Sequence, residues 1–474
     1  MSGTPSTDPR AAAPGATPPP PKRRGTELAL LGFALFITLV AQAIVDLTIT
    51  GSLRPDMLTF GGWITALWVV AHLVVRKFAP YADPLLLPAV ALLVGLGLAV
   101  IHRLDLAAEQ VDSTVTREDA PVQLMWATVG VLLFVAVLVV LRDHRLLSRF
   151  AYTLALIGLV LLALPAVLPS SISEVNGAKI WIRLAGFSIQ PGEFAKICLI
   201  VFFAAYLVDK RDVLALASRR VAGIELPRGR DLGPVLVAWA LSILVLVFER
   251  DLGSSLLLFG IFVVMLYVAT ERASWLLIGL GLFAGGALLA YQIFGHVQAR
   301  VDTWLDPFAY RDGAGYQLVQ SLFGLGTGGL FGAGLGGGRP DQVPVAKSDF
   351  IAAAIGEELG LFGLVAVIIV YLVLVERGLR TSLIVRDAFG KLLAAGLSFA
   401  LAWQVFVVLG GVTGLLPLTG LTTPFLAYGG SSLVANFALV AILVRISDAA
   451  RRPAPPVTPP RTALGDAPTE VVQS

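Results

Sequence analysis

Apolar stretches close to 20 residues long recur along this chain, the length that crosses about 30 Å of hydrocarbon. Twelve such spans are predicted, at about 28–49, 58–75, 84–101, 122–141, 150–169, 193–208, 233–248, 252–269, 274–294, 350–375, 388–411 and 425–447. Only Glu249-Arg250-Asp251 separates the seventh from the eighth, so these two read as a hairpin that need not cross fully. One outward connection, 295–349, is too long for a turn and carries Trp304, Phe308, Tyr310, Tyr316, Phe323 and Phe331. Long loops are either functional or disordered, and these apolar anchors predict a packed, partly re-entrant segment.

Composition agrees with the pattern. Hydrophobic residues make up 57% of the 474 positions and charged ones 14%, against about 25% charged in soluble domains. The fold class expected is therefore an all-α integral membrane protein, one polytopic helical bundle with flexible ends. Residues 1–25 are rich in Pro, Ala and Thr and close on Lys22, Arg23 and Arg24, a disordered lead without a cleavable signal pattern. Residues 448–474 form a second disordered tail. Between them, 26–83 hold two spans and 84–447 the remaining ten.

The charges then orient the bundle. Arg76 and Lys77, then Arg142, Arg145 and Arg149, then Lys210, Arg211, Arg219, Arg220, Arg228 and Arg230 fall in connections on one side, joined later by Arg377, Arg380, Arg386 and Lys391. The connection 102–121 on the other side is dominated by Asp105, Glu109, Asp112, Glu118 and Asp119. The positive-inside rule places both termini in the cytoplasm and 170–192, 249–251 and 295–349 outside. The net charge of +3 thus reflects short cytoplasmic loops, and nucleic acid is not an expected partner. Cys198 lies inside an apolar run and reads as packing, and His72, His102, His144 and His296 show no ligand spacing, so no metal site is predicted.

Ionisable groups at the outer ends of spans are the candidates for chemistry. Asp349 is placed in the first turn of the tenth span, where an acid also simply suits the helix dipole. Glu193 and Lys196 open the sixth span three residues apart, on one helical face, and Asp251 opens the eighth. Charges at membrane depth are costly and face a cavity or one another, so the alternatives are a functional cavity or a purely structural charge network. Segment 176–190 mixes Lys179 and Arg183 with Trp181 and Phe187. It reads equally as an interfacial anchor and as a clamp for phosphate groups. The run from Gly324 to Gly338 contains Gly332-x-Gly334-x-x-Gly337, which no βαβ unit supports as a dinucleotide site; close approach to a ligand or tight turns is the better reading. Polar and glycine-containing backbone from Thr422 to Ser432 interrupts the mouth of the last span, which is tolerated only where it is buried or lines a cavity.

Taken together, Gln190-Pro191-x-Glu193-Phe194-Ala195-Lys196, Asp251-Leu252-Gly253, Tyr316-Gln317-x-x-Gln320-Ser321, Ser348-Asp349-Phe350-Ile351, Gly356-Glu357-Glu358-Leu359-Gly360 and Pro424 through Ser432 resemble the SEDS family (shape, elongation, division, sporulation). The resemblance covers about 84–447 and is greatest to the elongation branch in its actinobacterial form, which carries two additional N-terminal spans. It implies a peptidoglycan glycosyltransferase that polymerises lipid II into a nascent glycan strand beside a class B penicillin-binding protein. It also implies that Asp349 is the essential acid, with Glu193, Lys196 and Asp251 in a central cavity. Trp181, Gln320 and Ser432 fall in or beside its motifs and join the substrate-binding candidates. Two positions depart from the family pattern: Lys347-Ser348 stands where His-Thr is common, and Glu249-Arg250 where Gln-Pro is common.

A chemistry follows from that implied reaction. A diphosphate leaves readily once cations hold its charge, so one general base on the acceptor hydroxyl suffices. Asp349 is the expected base, acting with inversion at the donor carbon, and Lys179, Arg183 and Lys196 are the candidate diphosphate-holding cations. No cofactor is required by any motif; a divalent cation, Mg2+ or Mn2+, bridging carboxylate and diphosphate is compatible with the reaction. The competing readings are a flippase for lipid-linked precursors, a scaffold for a transpeptidase, and the division branch with the same chemistry.

Overall fold

The computed structural model describes residues 22–111, 118–175, 177–184, 187–216, 218–221, 224–227 and 251–453, with scattered positions between 236 and 249. Residues 1–21 and 454–474 of the two expected disordered tails, and most of the seventh predicted span, lie outside these residues; the inner ends of both tails are instead helical, the first helix starting at Arg24 and the last running on to Arg451. Among them are thirteen helices longer than one turn: α1 (Arg24–Thr50), α2 (Met57–Phe78), α3 (Leu86–Val111), α4 (Asp119–Val140), α5 (Ala151–Val167), α6 (Pro191–Leu216), α7 (Leu252–Thr270), α8 (Ser274–Ile293), α9 (Gly295–Leu305), α10 (Tyr316–Gly328), α11 (Ile351–Ile384), α12 (Ala388–Val412) and α13 (Gly430–Arg451). Ten of these described helices are long and apolar enough to cross a membrane, and α5 is a shorter apolar helix. The eighth predicted span, α7, is one of the ten and has the length to cross.

Strands are few and short. In segment 174–189, β1 (Glu174–Val175) pairs with β2 (Ala178–Lys179) and β3 (Ile182–Leu184) with β4 (Phe187–Ile189), both antiparallel. A third hairpin joins β5 (Ser218–Val221) to β6 (Ile224–Pro227). The expected packing of 295–349 is realised as α9 and α10, with a single 3-10 turn at Pro340–Gln342.

The centre of the bundle is α13 and α3, which are buried along most of their length, whereas α8 is mostly exposed and faces outward. Small residues permit this close packing, since apolar helices in lipid gain little from hiding apolar surface and rely on contact area instead. Gly130 of α4 lies against the Phe437 ring of α13, and Gly97 of α3 against the Leu426 carbonyl; a methyl group at either would collide.

Buried acid–histidine hydrogen bonds tie α2 to α1 and α1 to the core helix α3. At one end of α1, Glu27 takes an Arg24 guanidinium and sits 2.8 Å from His72 of α2; at the other, Asp46 lies 2.8 Å from His102 of α3. Three of the four histidines that looked scattered are thus partnered with an acid far away in sequence: His72, His102 and His144, the last 3.0 Å from Asp387 at the start of α12. At the end of the bundle away from Asp349, Arg451 of α13 holds Asp83 at 2.7 Å, while Asp448 accepts from the Tyr81 amide at 2.8 Å.

The glycine-rich run serves this architecture. Helix α11 is broken at Gly360, which adopts φ 68°, and the run lies against the break. Ala333 N donates to Glu357 O and Gly334 N to Glu358 O, each at 2.9 Å, and Leu361 N to Gly329 O at 2.9 Å. The backbone that the glycines approach is thus that of another helix, and no residue of the run from Gly324 to Gly338 lines the main cavity.

Candidate active-site cavity

Asp349 stands two residues before α11, just outside the first turn where the sequence places it, in a loop that α11, α9 and the 413–429 connection enclose. A cavity of about 610 Å³ opens beside it. Its polar wall is Asp349, Ser348, Asp251, Arg300, Gln190, Ser188, Thr419 and Thr422; its apolar wall includes Trp126, Trp181, Tyr428 and Met125. Gly420, with φ 73°, leaves the space before the Asp349 carboxylate open.

The two acids of this wall are in different situations. Asp251 is the N-cap of α7: one carboxylate oxygen accepts from Gly253 N at 2.9 Å and Ser254 N at 3.2 Å, and the other from the Ser254 hydroxyl. Its acceptor capacity is largely taken up in starting a helix. Asp349 has the Ser348 hydroxyl beside it and otherwise faces the cavity. Burial pushes its carboxyl above the usual carboxylate range; the Ser348 hydroxyl and the Arg300 guanidinium pull it back, and Asp251 pushes it further up. Asp251 is likewise raised, by burial first, against the Ser254 and Arg300 interactions.

Arg300 is the one cation on the wall among the described residues, and sequence reasoning missed it. It projects from α9, and its Nη1 donates to the Leu418 and Thr419 carbonyls at 3.1 Å each, fixing the guanidinium near both acids. One turn later on the same face, Trp304 Nε1 donates to Gly414 O at 2.9 Å. The Arg300-x-x-x-Trp304 spacing within the long loop was the available signal: two anchoring residues on one face of a helix.

Glu193 and Lys196 occupy a layer beneath the cavity. Lys196 Nζ donates to Glu193 Oε2 and to Gln404 Oε1, both at 2.8 Å, and Gln404 Nε2 donates to the Thr422 carbonyl at 3.0 Å. Thr422 lines the cavity, and a small void joins Glu193 and Lys196 to Ser254, the Asp251 partner. The pair thus supports the floor and does not line the wall. Removing one member of a buried pair strands the other charge, at a cost of about 3–5 kcal/mol. Lys196→Met should therefore lower the melting temperature in detergent, and Glu193→Gln/Lys196→Met should recover most of the loss.

The remaining sequence candidates divide. Trp181 lines the cavity. Lys179, in β2, is not on its wall, and Arg183 is exposed and donates to Ser171 O at 2.8 Å. Gln320 lies on α10 away from the wall, while Ser432 is buried in α13, its carbonyl taking the Asn436 amide at 2.8 Å. The neighbouring Ser431 hydroxyl instead holds the Gln190 amide at 2.9 Å. Of the two departures from the family pattern, Lys347 has carboxylate partners, Asp105 and Asp119; Arg250 lies outside the described residues.

Among the described residues no three His, Cys, Asp or Glu side chains converge as a metal site would require. A Mg2+ or Mn2+ ion carried in by a diphosphate would find the Asp349 carboxylate facing the cavity, while both Asp251 oxygens are already engaged.

Comparison with known proteins agrees with this architecture. The chain is 56% identical over 460 residues to the peptidoglycan glycosyltransferase RodA of Mycobacterium tuberculosis, covering 96% of this chain and 97% of that one. It is 37% identical over 329 residues to the probable peptidoglycan glycosyltransferase FtsW of Trichlorobacter lovleyi, covering 69% and 82%. Among solved structures it resembles the rod shape determining protein RodA of Thermus thermophilus, with TM-score 0.53 and 25% identity over 77% of this chain and 96% of that one. It also resembles a chain of a peptidoglycan synthase complex studied for the coordination of polymerization and crosslinking, with TM-score 0.52 and 26% identity over 81% and 96%. Residues 84–452 match the FtsW/RodA/SpoVE family signature, so this multi-pass membrane chain belongs to that family of cell cycle proteins.

Proposed function

We propose that this protein is a peptidoglycan glycosyltransferase that polymerises lipid II into glycan strands and releases polyprenyl diphosphate. The observation that carries the reading is one cavity wall bearing a cavity-facing acid, Asp349, and a fixed guanidinium, Arg300. Asp349 takes the proton of the acceptor hydroxyl as that oxygen attacks the donor anomeric carbon; the bond to the diphosphate oxygen breaks on the opposite face, with inversion. Burial raises its proton affinity above that of an ordinary carboxylate, which strengthens it as a base. Arg300 meets the charge that grows on the leaving diphosphate, a role for which a planar guanidinium is suited. It replaces Lys179, Arg183 and Lys196 in that role because it is on the wall. A divalent cation, when present, would neutralise part of the same charge.

Asp251 starts α7 and places a negative charge near Arg300, and Trp126, Trp181 and Tyr428 offer flat apolar surfaces to sugar rings or the adjoining lipid. The cavity opens on the outer face, given N- and C-termini in the cytoplasm by loop charge. A class B penicillin-binding protein is the expected partner, in line with the synthase complex that the fold resembles.

The test is incubation of the purified full-length chain with lipid II in detergent, with and without such a partner. Glycan strands should form although no bilayer is present. Failure to polymerise, together with lipid II translocation in sealed vesicles, would establish a flippase instead.

A further inference from the structure

We infer that Lys347 is a positioning residue for Asp349, anchored by Asp105 and Asp119; this rests on the proposed glycosyltransferase reading. The loop that carries Asp349 is under backbone strain. Val345 adopts φ 51°, a conformation that a β-branched residue avoids and that persists only where surrounding structure over-determines it.

Lys347 supplies that determination from both its side chain and its main chain. Its ammonium bonds to Asp105 of α3 and, at 2.9 Å, to Asp119 at the start of α4. Burial works against the charge, but these bonds outweigh it and hold the ammonium above its ordinary proton affinity. The Lys347 carbonyl accepts from Tyr428 N at 2.7 Å, so the same residue ties down the opposite cavity wall. Asp349 follows two positions later.

The anchor is itself rigid. Asp105 also accepts the Asp119 and Ala120 amides, at 2.9 and 2.7 Å, joining α3 to the N-terminus of α4. Two residues earlier on α3, Arg103 holds Glu358 and the Gly338 carbonyl, at the broken part of α11. The outer end of α3 therefore grips the Asp349 loop from both sides: through Lys347 ahead of the acid and through Glu358 behind it. The Lys347 ammonium is engaged by Asp105 and Asp119, so what it offers Asp349 is position.

Steady-state polymerisation of lipid II by the full-length protein tests this. Lys347→Met should lower kcat by about 10²-fold, the penalty of a displacement on the order of 1 Å, with KM and the acidic limb of the pH profile unchanged. Lys347→Arg should restore most of the rate. Asp119→Asn, which spares the Asp105 contacts to α4, should give a smaller loss in kcat alone and keeps the test open if Lys347→Met does not fold. Adding Asp119→Asn to Lys347→Met should cost nothing more. A rise in KM at constant kcat, equal loss in the Met and Arg variants, or full additivity of the two substitutions would each overturn the inference. Asp349→Asn run in parallel separates the two readings. If it is inactive while Lys347→Met is fully active, only the positioning role fails; if it is active, the assignment of the base fails.

Discussion

Asp349→Asn protein is expected to insert, to remain folded in detergent and to make no glycan from lipid II. The carboxamide has the shape of the carboxylate but cannot accept the hydroxyl proton, and loss of a general base typically removes 10²–10⁴-fold of rate, on the order of 3–5 kcal/mol of transition-state stabilisation. The assay is strand formation on a gel against the unmodified protein. Activity within tenfold would move the base elsewhere, and Asp251 is a poor successor because both of its oxygens already accept bonds. The pH profile adds a second reading. Only the deprotonated acid is active, so rate is lost as pH falls through the Asp349 pKa. Burial raises that pKa, so the acidic limb should lie above the ordinary carboxylate value of about 4.

Arg300→Met should be nearly as severe, with kcat/KM reduced by about 10²–10³-fold, as for loss of one preorganised donor to developing charge. Arg300→Lys should recover only part, because an ammonium cannot present the guanidinium fork. The same substitution should shift the acidic limb. Arg300 favours the charged form of Asp349, so its removal raises that pKa further and moves the limb to higher pH. An unmoved limb would mean that the two groups do not meet in the working enzyme, and the leaving group would need another cation.

Why Arg300 escaped sequence reasoning is instructive beside what did not. Asp349, Asp251, Glu193 and Lys196 stand at the ends of long apolar runs, where a charge is conspicuous because hydrocarbon surrounds it. Arg300 sits within a 55-residue polar connection, 295–349, where a basic residue is ordinary. Its meaning depends on α9 folding back so that Leu418 and Thr419, more than 100 positions away, offer their carbonyls. The histidines pose the same problem: His102 meets Asp46 across 56 positions and His72 meets Glu27 across 45. Lys179 and Arg183 pose the converse problem, since their segment read equally as an interfacial anchor and as a phosphate clamp. Pattern could not separate the two, whereas in the folded chain the hairpins of 174–189 turn Trp181 to the cavity and leave Arg183 on the surface.

The sequence by itself determined the class of protein and the position of most helices, and it set charged residues at the helix mouths, among which a family resemblance singled out Asp349. The reason is that burial in hydrocarbon is a local demand, met by about 20 consecutive apolar residues and legible wherever they occur. Only the tertiary structure decided which charges share a cavity. Asp349, Arg300, Asp251 and Trp181 come from four separate segments, and their meeting depends on helix packing and on backbone carbonyls that hold a guanidinium in place. It also divided the two kinds of acid. Asp251 and Asp349 look alike at the mouths of their helices, but one is spent on capping α7 and the other faces open space.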